Sequence, residues 1–271
     1  MAVTSSSKGT ALITGASRGI GAVYADRLAK RGYDLILVAR EEARLQALAA
    51  RLGSETGRSV SILAADLGAK ADLAKVEATL RTDRTITLLV NNAGTAALTP
   101  LLQSDIDKMQ DMIDLNVTAL TRLTYAAAPA FVARRAGAII NIASVVGISS
   151  GLNGVYGASK AYVLAFTHSL HNELADKGIR IQAVLPGATA TDLWALAGRP
   201  YQDLPASIVM LPEDMVDAAL VGFDLGEVVT IPSLHEEDEW KRFEAARRSL
   251  SARFGNSVPA ARYRSGALAS V

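Results

Sequence analysis

Cysteine does not occur in these 271 residues. Its absence excludes disulfides, a thiolate nucleophile and thiolate-bound zinc or iron–sulfur clusters, and it fits a reducing compartment. A charge imbalance is missing as well. The 28 Lys and Arg residues stand against 27 Asp and Glu, for a net charge of +1, so no bulk field draws the chain to nucleic acid or anionic lipid. No run approaches the ~20 apolar residues of a membrane span. Residues 1–9 are small and polar, with no apolar core of signal-peptide type. We therefore expect a cytoplasmic protein with neither a nucleic-acid nor a membrane partner. What is present is globular in character: half the residues are hydrophobic and a fifth are charged, enough at this length for a large core.

Short apolar segments alternate with helical patterns. The strand candidates are Thr10–Thr14, Asp34–Ala39, Val60–Ala64, Thr87–Val90, Ala138–Ile142 and Ile179–Val184, with a short one at 228–231. Helices are expected over about 22–30, 41–52, 70–80, 104–134, 155–175 and 212–223, the fourth interrupted near Asn116 and Pro129. Leucine-rich and β-branched strands alternating with helices mean a parallel sheet covered on both faces, the α/β doubly wound class. No repeat or linker interrupts the pattern. We read a tail over 1–9, one catalytic domain over 10–235, and a C-terminal helix and tail over 236–271. That helix is charged and amphipathic, with Trp240, Phe243 and Leu250 expected inward. Ligands of such sheets bind beyond the carboxyl ends of the strands. The unusual residues cluster there: Gly15 to Gly21, Arg40, Asp66, Asn91 to Gly94, Ser144 and Pro186-Gly187.

Gly15-Ala-Ser-Arg-Gly-Ile-Gly21 falls between the first strand and the first helix. Glycines at that junction let the backbone turn tightly and approach a pyrophosphate seated at the helix N-terminus, although the spacing is not Gly-x-Gly-x-x-Gly. A carboxylate ending the second strand would bind a ribose 2′-hydroxyl. Ala39 stands there instead, followed by Arg40, with Arg18 in the glycine loop. Two guanidiniums and no acid suit a 2′-phosphate, so NADP(H) is expected over NAD(H). Asp66 is placed to accept from the adenine amino group, or else to serve as a turn residue. Tyr156 and Lys160 are four apart on a helix, which sets their Cβ atoms about 5–6 Å apart on one face. An ammonium beside a phenol favours phenolate, so the Tyr156 pKa is expected below its ordinary value near 10, ready to exchange a proton near neutral pH. His168, His171 and Glu173 share that helix without an evident third ligand, and no metal site is expected.

Thr14-Gly-Ala-Ser-Arg-Gly-Ile-Gly21, Asn91-Asn-Ala-Gly94, Asn116, Ser144, Tyr156-x-x-x-Lys160 and Pro186-Gly187 occur together and in that order. Over about 10–231 the chain resembles the classical short-chain dehydrogenase/reductase family. The resemblance implies a single Rossmann domain without a separate substrate domain. It implies that Tyr156 is the general acid/base, that Lys160 lowers its pKa and holds the nicotinamide ribose, that Ser144 hydrogen-bonds the substrate carbonyl, and that Asn116 kinks its helix and anchors a proton-relay water. It also implies a cofactor site made of Gly15, Ser17, Arg18, Gly19, Ile20, Gly21, Arg40, Asp66, Leu67, Asn92, Ala93, Gly94, Tyr156, Lys160, Pro186, Gly187, Thr189 and Thr191. Two departures stand out. Ala143 takes the place of a common second serine, and the loop from Ser144 to Tyr156 is one residue short of the family spacing. Ser149 and Ser150 therefore remain alternative donors. Residues 189–211 fall where family members carry a mobile lid, in which Trp194 and Leu196 either line an apolar pocket or fill core.

The activity so implied is an NADP(H)-dependent oxidoreductase that interconverts a small-molecule ketone or aldehyde, of moderate size and apolar character, and its alcohol. The alternatives are an NAD(H)-dependent alcohol dehydrogenase and an NADP(H)-binding regulator or scaffold that no longer reacts. The helix from Val155 is small or apolar on most faces, through Ala158, Ala161, Tyr162, Ala165 and Phe166. A homodimer or homotetramer is expected.

Overall fold

The strands take their places because each carries apolar side chains on both faces. The structure, a computed structural model, describes residues 8–149 and 154–264. Its strands are β1 (Thr10–Thr14), β2 (Asp34–Ala39), β3 (Val60–Ala64), β4 (Ile86–Asn91), β5 (Gly137–Ile142), β6 (Ile179–Val184) and β7 (Val229–Thr230). They form one seven-stranded sheet in the order β3-β2-β1-β4-β5-β6-β7. Each neighbouring pair is parallel.

Helices cover both sides: α1 (Gly19–Lys30), α2 (Glu42–Thr56), α3 (Lys70–Thr82), α4 (Ile106–Ile113), α5 (Leu120–Ala133), α6 (Gly154–Leu174), the short α7 (Leu193–Leu196), α8 (Pro212–Leu225) and α9 (Glu237–Ser251). The period-2 alternation of strand side chains sorts the core into two layers. Ile13, Leu35, Leu37, Val90 and Ile140 point toward α1, α2 and α8, where they meet Tyr24, Leu28, Leu45 and Val216. Leu12, Ile36, Val38, Leu89 and Ile139 point the other way, to Val76, Leu123, Phe131 and Leu170 on α3, α5 and α6. This is the Rossmann-like doubly wound arrangement. The chain order reverses between β1 and β4, which opens a crevice at their carboxyl ends.

The helical region before β5 differs from expectation at one of its two interruptions. At Asn116 the hydrogen-bond register widens into a π-helical turn, Asp114–Ala119, between α4 and α5. At Pro129 the helix does not break: α5 runs through it. The carbonyl that a proline at 129 leaves unbonded is that of Tyr125.

The chain divides into two compact units between Ser233 and Leu234. The second contains α9, where Trp240 and Phe243 stack at 5.3 Å and Lys241 pairs with Glu237 at 2.8 Å. The expected inward placement of Phe243 and Leu250 is not found. Both are exposed, because amphipathic spacing specifies a shared face but not what covers it. The expected tail over 1–9 and the chain end fall largely outside the described residues. Among the described residues no helix is long and apolar enough to cross a membrane.

Candidate active site

The end of β1 is tied directly to the end of β4. Thr14 Oγ1 accepts from the backbone N–H of Asn92 and of Ala93, each at 3.0 Å. Asn92 Nδ2 donates to Thr14 O at 2.9 Å and Gly15 O at 3.2 Å. The glycine loop is pressed against this junction. Gly15 has φ +66°, and a Cβ there would stand 2.8 Å from Asn92 Nδ2 and 2.9 Å from Ala93 Cα. Gly21 has no room for a Cβ either, since Gly15 O and Asn92 Nδ2 occupy the space. The loop is thus glycine for geometric reasons, and it opens α1 with free backbone N–H groups facing the crevice.

Four of the expected residues converge at the neighbouring strand ends. Ser144 follows β5; its Oγ donates to Pro186 O at 3.3 Å and accepts from Val146 N at 3.4 Å. Its hydroxyl also neighbours that of Tyr156 closely enough to act on it. Lys160 is buried, with Nζ donating to Ile142 O at 2.9 Å and lying 5.9 Å from the Tyr156 ring centroid. Asn116 clamps the chain after β4, its Oδ1 accepting from Thr95 N and its Nδ2 donating to Thr95 O, both at 2.9 Å. The same Nδ2 reaches Ser159 Oγ at 3.1 Å, and Ser159 in turn donates to Tyr156 O at 2.7 Å. Gly94 is the pivot of the group: a Cβ on it would sit 3.1 Å from Asn116 Oδ1 and 3.5 Å from Lys160 Nζ. Ser149 is exposed, and Ser150 lies outside the described residues.

The electrostatics correct one expectation. Burial pushes the Tyr156 phenol above the ordinary tyrosine value, and the neighbouring Ser144 hydroxyl only partly offsets it. Lys160 does not lower it here, because its ammonium is aimed at the Ile142 carbonyl. Burial also depresses Lys160 itself, to about 8.

One ≈ 1080 Å³ cleft unites these groups with the residues expected to hold a cofactor, at the upper end of ligand sites, which run to about 1,000 Å³. Gly15, Ser17, Arg18, Gly19, Ile20, Arg40, Asp66, Leu67, Asn92, Ala93, Gly94, Pro186, Gly187, Thr189 and Thr191 all line it, with Ser144, Tyr156 and Lys160. Gly21 lies just behind the loop. Asp66 Oδ1 accepts from Gly68 N at 3.0 Å, so its turn role is realised.

At the phosphate end, the reading of two guanidiniums and no acid does not hold. Glu41 also lines the cleft. Arg18 Nη2 lies 3.3 Å from Glu41 Oε1 and its Nη1 3.7 Å from Asp192 Oδ2, while Arg44 Nε takes the other Glu41 oxygen at 2.8 Å. The sequence reading went from Ala39 to Arg40, and Glu41 is the next residue.

The segment over 189–211 is closed at its base. Ala190 N donates to Met210 O, and Met210 N to Ala188 O, both at 2.9 Å. Trp194 lines the cleft rather than filling core, its Nε1 donating to Thr189 O at 3.0 Å. Leu196 lines the same cleft and is 64% exposed. Three residues that matter to this geometry were not singled out from sequence: Thr95, Ser159 and Gly147. A Cβ on Gly147 would stand 2.8–3.0 Å from the backbone of Lys160 and Ala161, so the loop after Ser144 rests directly on α6.

Residues 9–201 match the family model described as short chain dehydrogenase. The chain is 35% identical over 216 residues to the very-long-chain 3-oxoacyl-CoA reductase of Anas platyrhynchos, covering 78% of this chain and 67% of that one. Among solved structures, a short-chain dehydrogenase from Sphingobium yanoikuyae in complex with NADPH is 50% identical, with a TM-score of 0.92 over 94% of this chain and 100% of that one. The bulky-bulky ketone specific alcohol dehydrogenase from Comamonas testosteroni is 43% identical, with a TM-score of 0.87 over 94% and 98%. With the glycine loop, the clamped strand ends and the Ser144–Tyr156–Lys160 cluster in one cleft, the chain belongs to the short-chain dehydrogenase family and is an oxidoreductase of that family.

Proposed function

We propose that the protein is an NADP(H)-dependent oxidoreductase that interconverts a ketone or aldehyde and its alcohol, with Tyr156 as general acid/base. The observation that carries this reading is that Ser144, Tyr156 and a buried Lys160 line one cleft that continues to the glycine loop. A dinucleotide fits the cradle made by Gly15, Gly19 and Gly94, where a Cβ would collide with the cleft's own walls. Gly15 to Gly21 would hold its pyrophosphate, Arg18 and Arg40 its 2′-phosphate, and Thr189 and Thr191 its nicotinamide side. When bound, the nicotinamide gives or takes the hydride. The NADPH complex of the Sphingobium relative supports the choice of cofactor.

The chain's own residues manage the oxygen. In the reducing direction the Tyr156 hydroxyl gives its proton to the carbonyl oxygen, and Ser144 Oγ donates a hydrogen bond to the same atom. Lys160, with its pKa near 8, is largely ammonium at neutral pH, and through its bond to the Ile142 carbonyl it fixes the strand end beside which Tyr156 stands. Asn116 holds Thr95 and Ser159 and so fixes the distance between the substrate wall and α6. Tyr156→Phe is expected to abolish turnover while leaving NADPH binding within about twofold. Substantial turnover by that variant rejects the role.

Leu98, Met109, Leu193, Trp194 and Leu196 give the cleft apolar lining, beside polar residues such as Gln103, Asp105 and Lys108. Taken with the ketone selectivity of the Comamonas relative, this supports a substrate whose carbonyl carries apolar groups on both flanks. A panel of such ketones and alcohols, followed by NADPH absorbance, tests it; turnover confined to small polar carbonyls would reject it. Use of NAD(H) is the second reading, and Glu41 beside Arg18 is the observation that favours it.

A further inference from the structure

Helix α9 is long but almost uncovered. Of its 15 residues only Glu244 is buried. Phe243 is 45% and Leu250 58% exposed, and Phe254, just past the helix end, 70%. A helix of this length is marginal in water by itself, because most helical stability comes from packing an apolar face. That face is well defined. Trp240, Phe243, Arg247, Leu250 and Phe254 recur at intervals of three and four, which lays the first four in one row along the helix, with Phe254 at its foot. Trp240 stacks on Phe243. Arg247 is the charged member of the row. Glu244 accepts from its Nε at 2.9 Å and its Nη2 at 2.8 Å, so it enters the row with its charge already matched. The two ends of the helix carry opposite charge. Glu236, Glu237, Asp238 and Glu239 stand at the start, and Arg247, Arg248 and Arg253 at the finish. Each end suits the helix dipole, and together they make the helix complementary to a copy of itself turned end for end.

We infer that α9 is a self-association element: it pairs antiparallel with α9 of a second copy of this chain, across a two-fold axis. Such a contact is isologous, so each interaction in it occurs twice. In this pairing Trp240 faces the partner's Leu250, Phe243 faces the partner's Arg247, and Glu239 lies beside the partner's Arg253. A parallel pairing would instead set acid against acid at one end and arginine against arginine at the other. Lys241 takes Glu237 within its own helix at 2.8 Å. Glu239 and Arg253 are about four turns apart along the helix axis, too far to meet within one chain. One helix pair of this length makes a small interface beside the roughly 1,200–2,000 Å² of a standard one, so association through α9 is expected to depend on protein concentration.

The test is sedimentation velocity on the full chain over a series of protein concentrations. The proteins are wild type, Leu250→Glu, Glu239→Arg, and Glu239→Arg combined with Arg253→Glu. Leu250→Glu is expected to sediment as a smaller assembly than wild type. Glu239→Arg sets cation against cation twice, and is expected to weaken association on the order of tenfold at low salt and less at high salt. The double substitution restores both ion pairs and is expected to return association to within about twofold of wild type. That rescue cannot arise inside one subunit. Equal masses for wild type and Leu250→Glu, or a double variant no better than Glu239→Arg, overturn the pairing. Binding of wild type to phosphatidylglycerol vesicles that Leu250→Glu abolishes, with masses still equal, also overturns it and assigns the row to a lipid surface.

Discussion

Lys160 Nζ is directed at the Ile142 carbonyl, and that single orientation decides two properties of the site. It leaves the Tyr156 phenol under the influence of burial, above its ordinary pKa. It also places an ammonium where solvation is poor, which brings Lys160 to about 8. That value lies below the ~10.4 of an unfolded lysine. Below pH 8 both states hold the proton and the penalty is constant. Between about pH 8 and 10.4 the unfolded chain keeps a proton that the folded one has released, so this group adds stability as pH rises. Cofactor-free wild type is therefore expected to gain, relative to Lys160→Met, on the order of 3 kcal/mol across that window. Urea denaturation of both proteins at pH 7.5 and 10.4 reads it, and parallel curves would contradict it. The residue types of the site were legible in the chain, since Ser144, Tyr156, Lys160, Asn116 and the glycine loop do meet. The direction of the tyrosine shift was not. A spacing of four puts two Cβ atoms on one face but says nothing of where a flexible four-carbon stem ends. Glu41 escaped because the motif logic asks for one position at the strand end, and the acid came two residues later.

Gly147 shows what joins the elements around the site. Its backbone lies against that of Lys160 and Ala161 with no space for a methyl group. Gly147→Ala is expected to push the loop after Ser144 away from α6, with a loss of about 1–3 kcal/mol in stability and a larger fall in kcat than in cofactor affinity; steady-state kinetics with thermal melts measure both. The π-helical turn holding Asn116 makes a similar joint. Asn116→Ala would leave Thr95 N–H and C=O without their partner, at about 1–3 kcal/mol, visible as a lower urea midpoint with unchanged slope. The strands were legible nearly to the residue, because apolar runs bounded by turn residues leave little freedom where both faces are buried. The helix around Asn116 and Pro129 was legible only as irregular: the pattern could not distinguish a widened turn from a break, nor foresee that α5 passes through a proline. For α9 the helix itself was evident and the destination of its apolar side chains was not.

At the scale of the whole molecule, α5 and α6 present an aromatic stack to solvent. Tyr125 and Phe166 lie parallel at 6.4 Å, Tyr162 and Phe166 at 5.6 Å, and Tyr162 shares a 2.8 Å hydrogen bond with Thr121. Exposures of 69% for Tyr125 and 37% for Tyr162 are large for rings held so firmly, and we expect a second copy to cover them. Light scattering should give a dimer or tetramer for the wild type and a smaller species for Tyr125→Glu; identical masses would remove this face from the assembly. The doubly wound architecture was legible from alternation alone, whereas assembly depends on surfaces that no periodicity describes. Beneath that face a buried polar chain crosses the sheet. Asn91 Nδ2 donates to Thr124 Oγ1 at 3.1 Å and to Asn141 Oδ1 at 2.9 Å, and Asn141 Nδ2 donates to Thr167 Oγ1 at 3.0 Å. Like a seam along one face of a plate, these contacts fasten α5 and α6 to β4 and β5, the elements that carry Ser144, Tyr156 and Lys160. Leu98, Met109, Leu193 and Leu196 belong to no such seam, so a mutational library at those four positions should leave the urea midpoint nearly unchanged while altering which compounds the cleft admits.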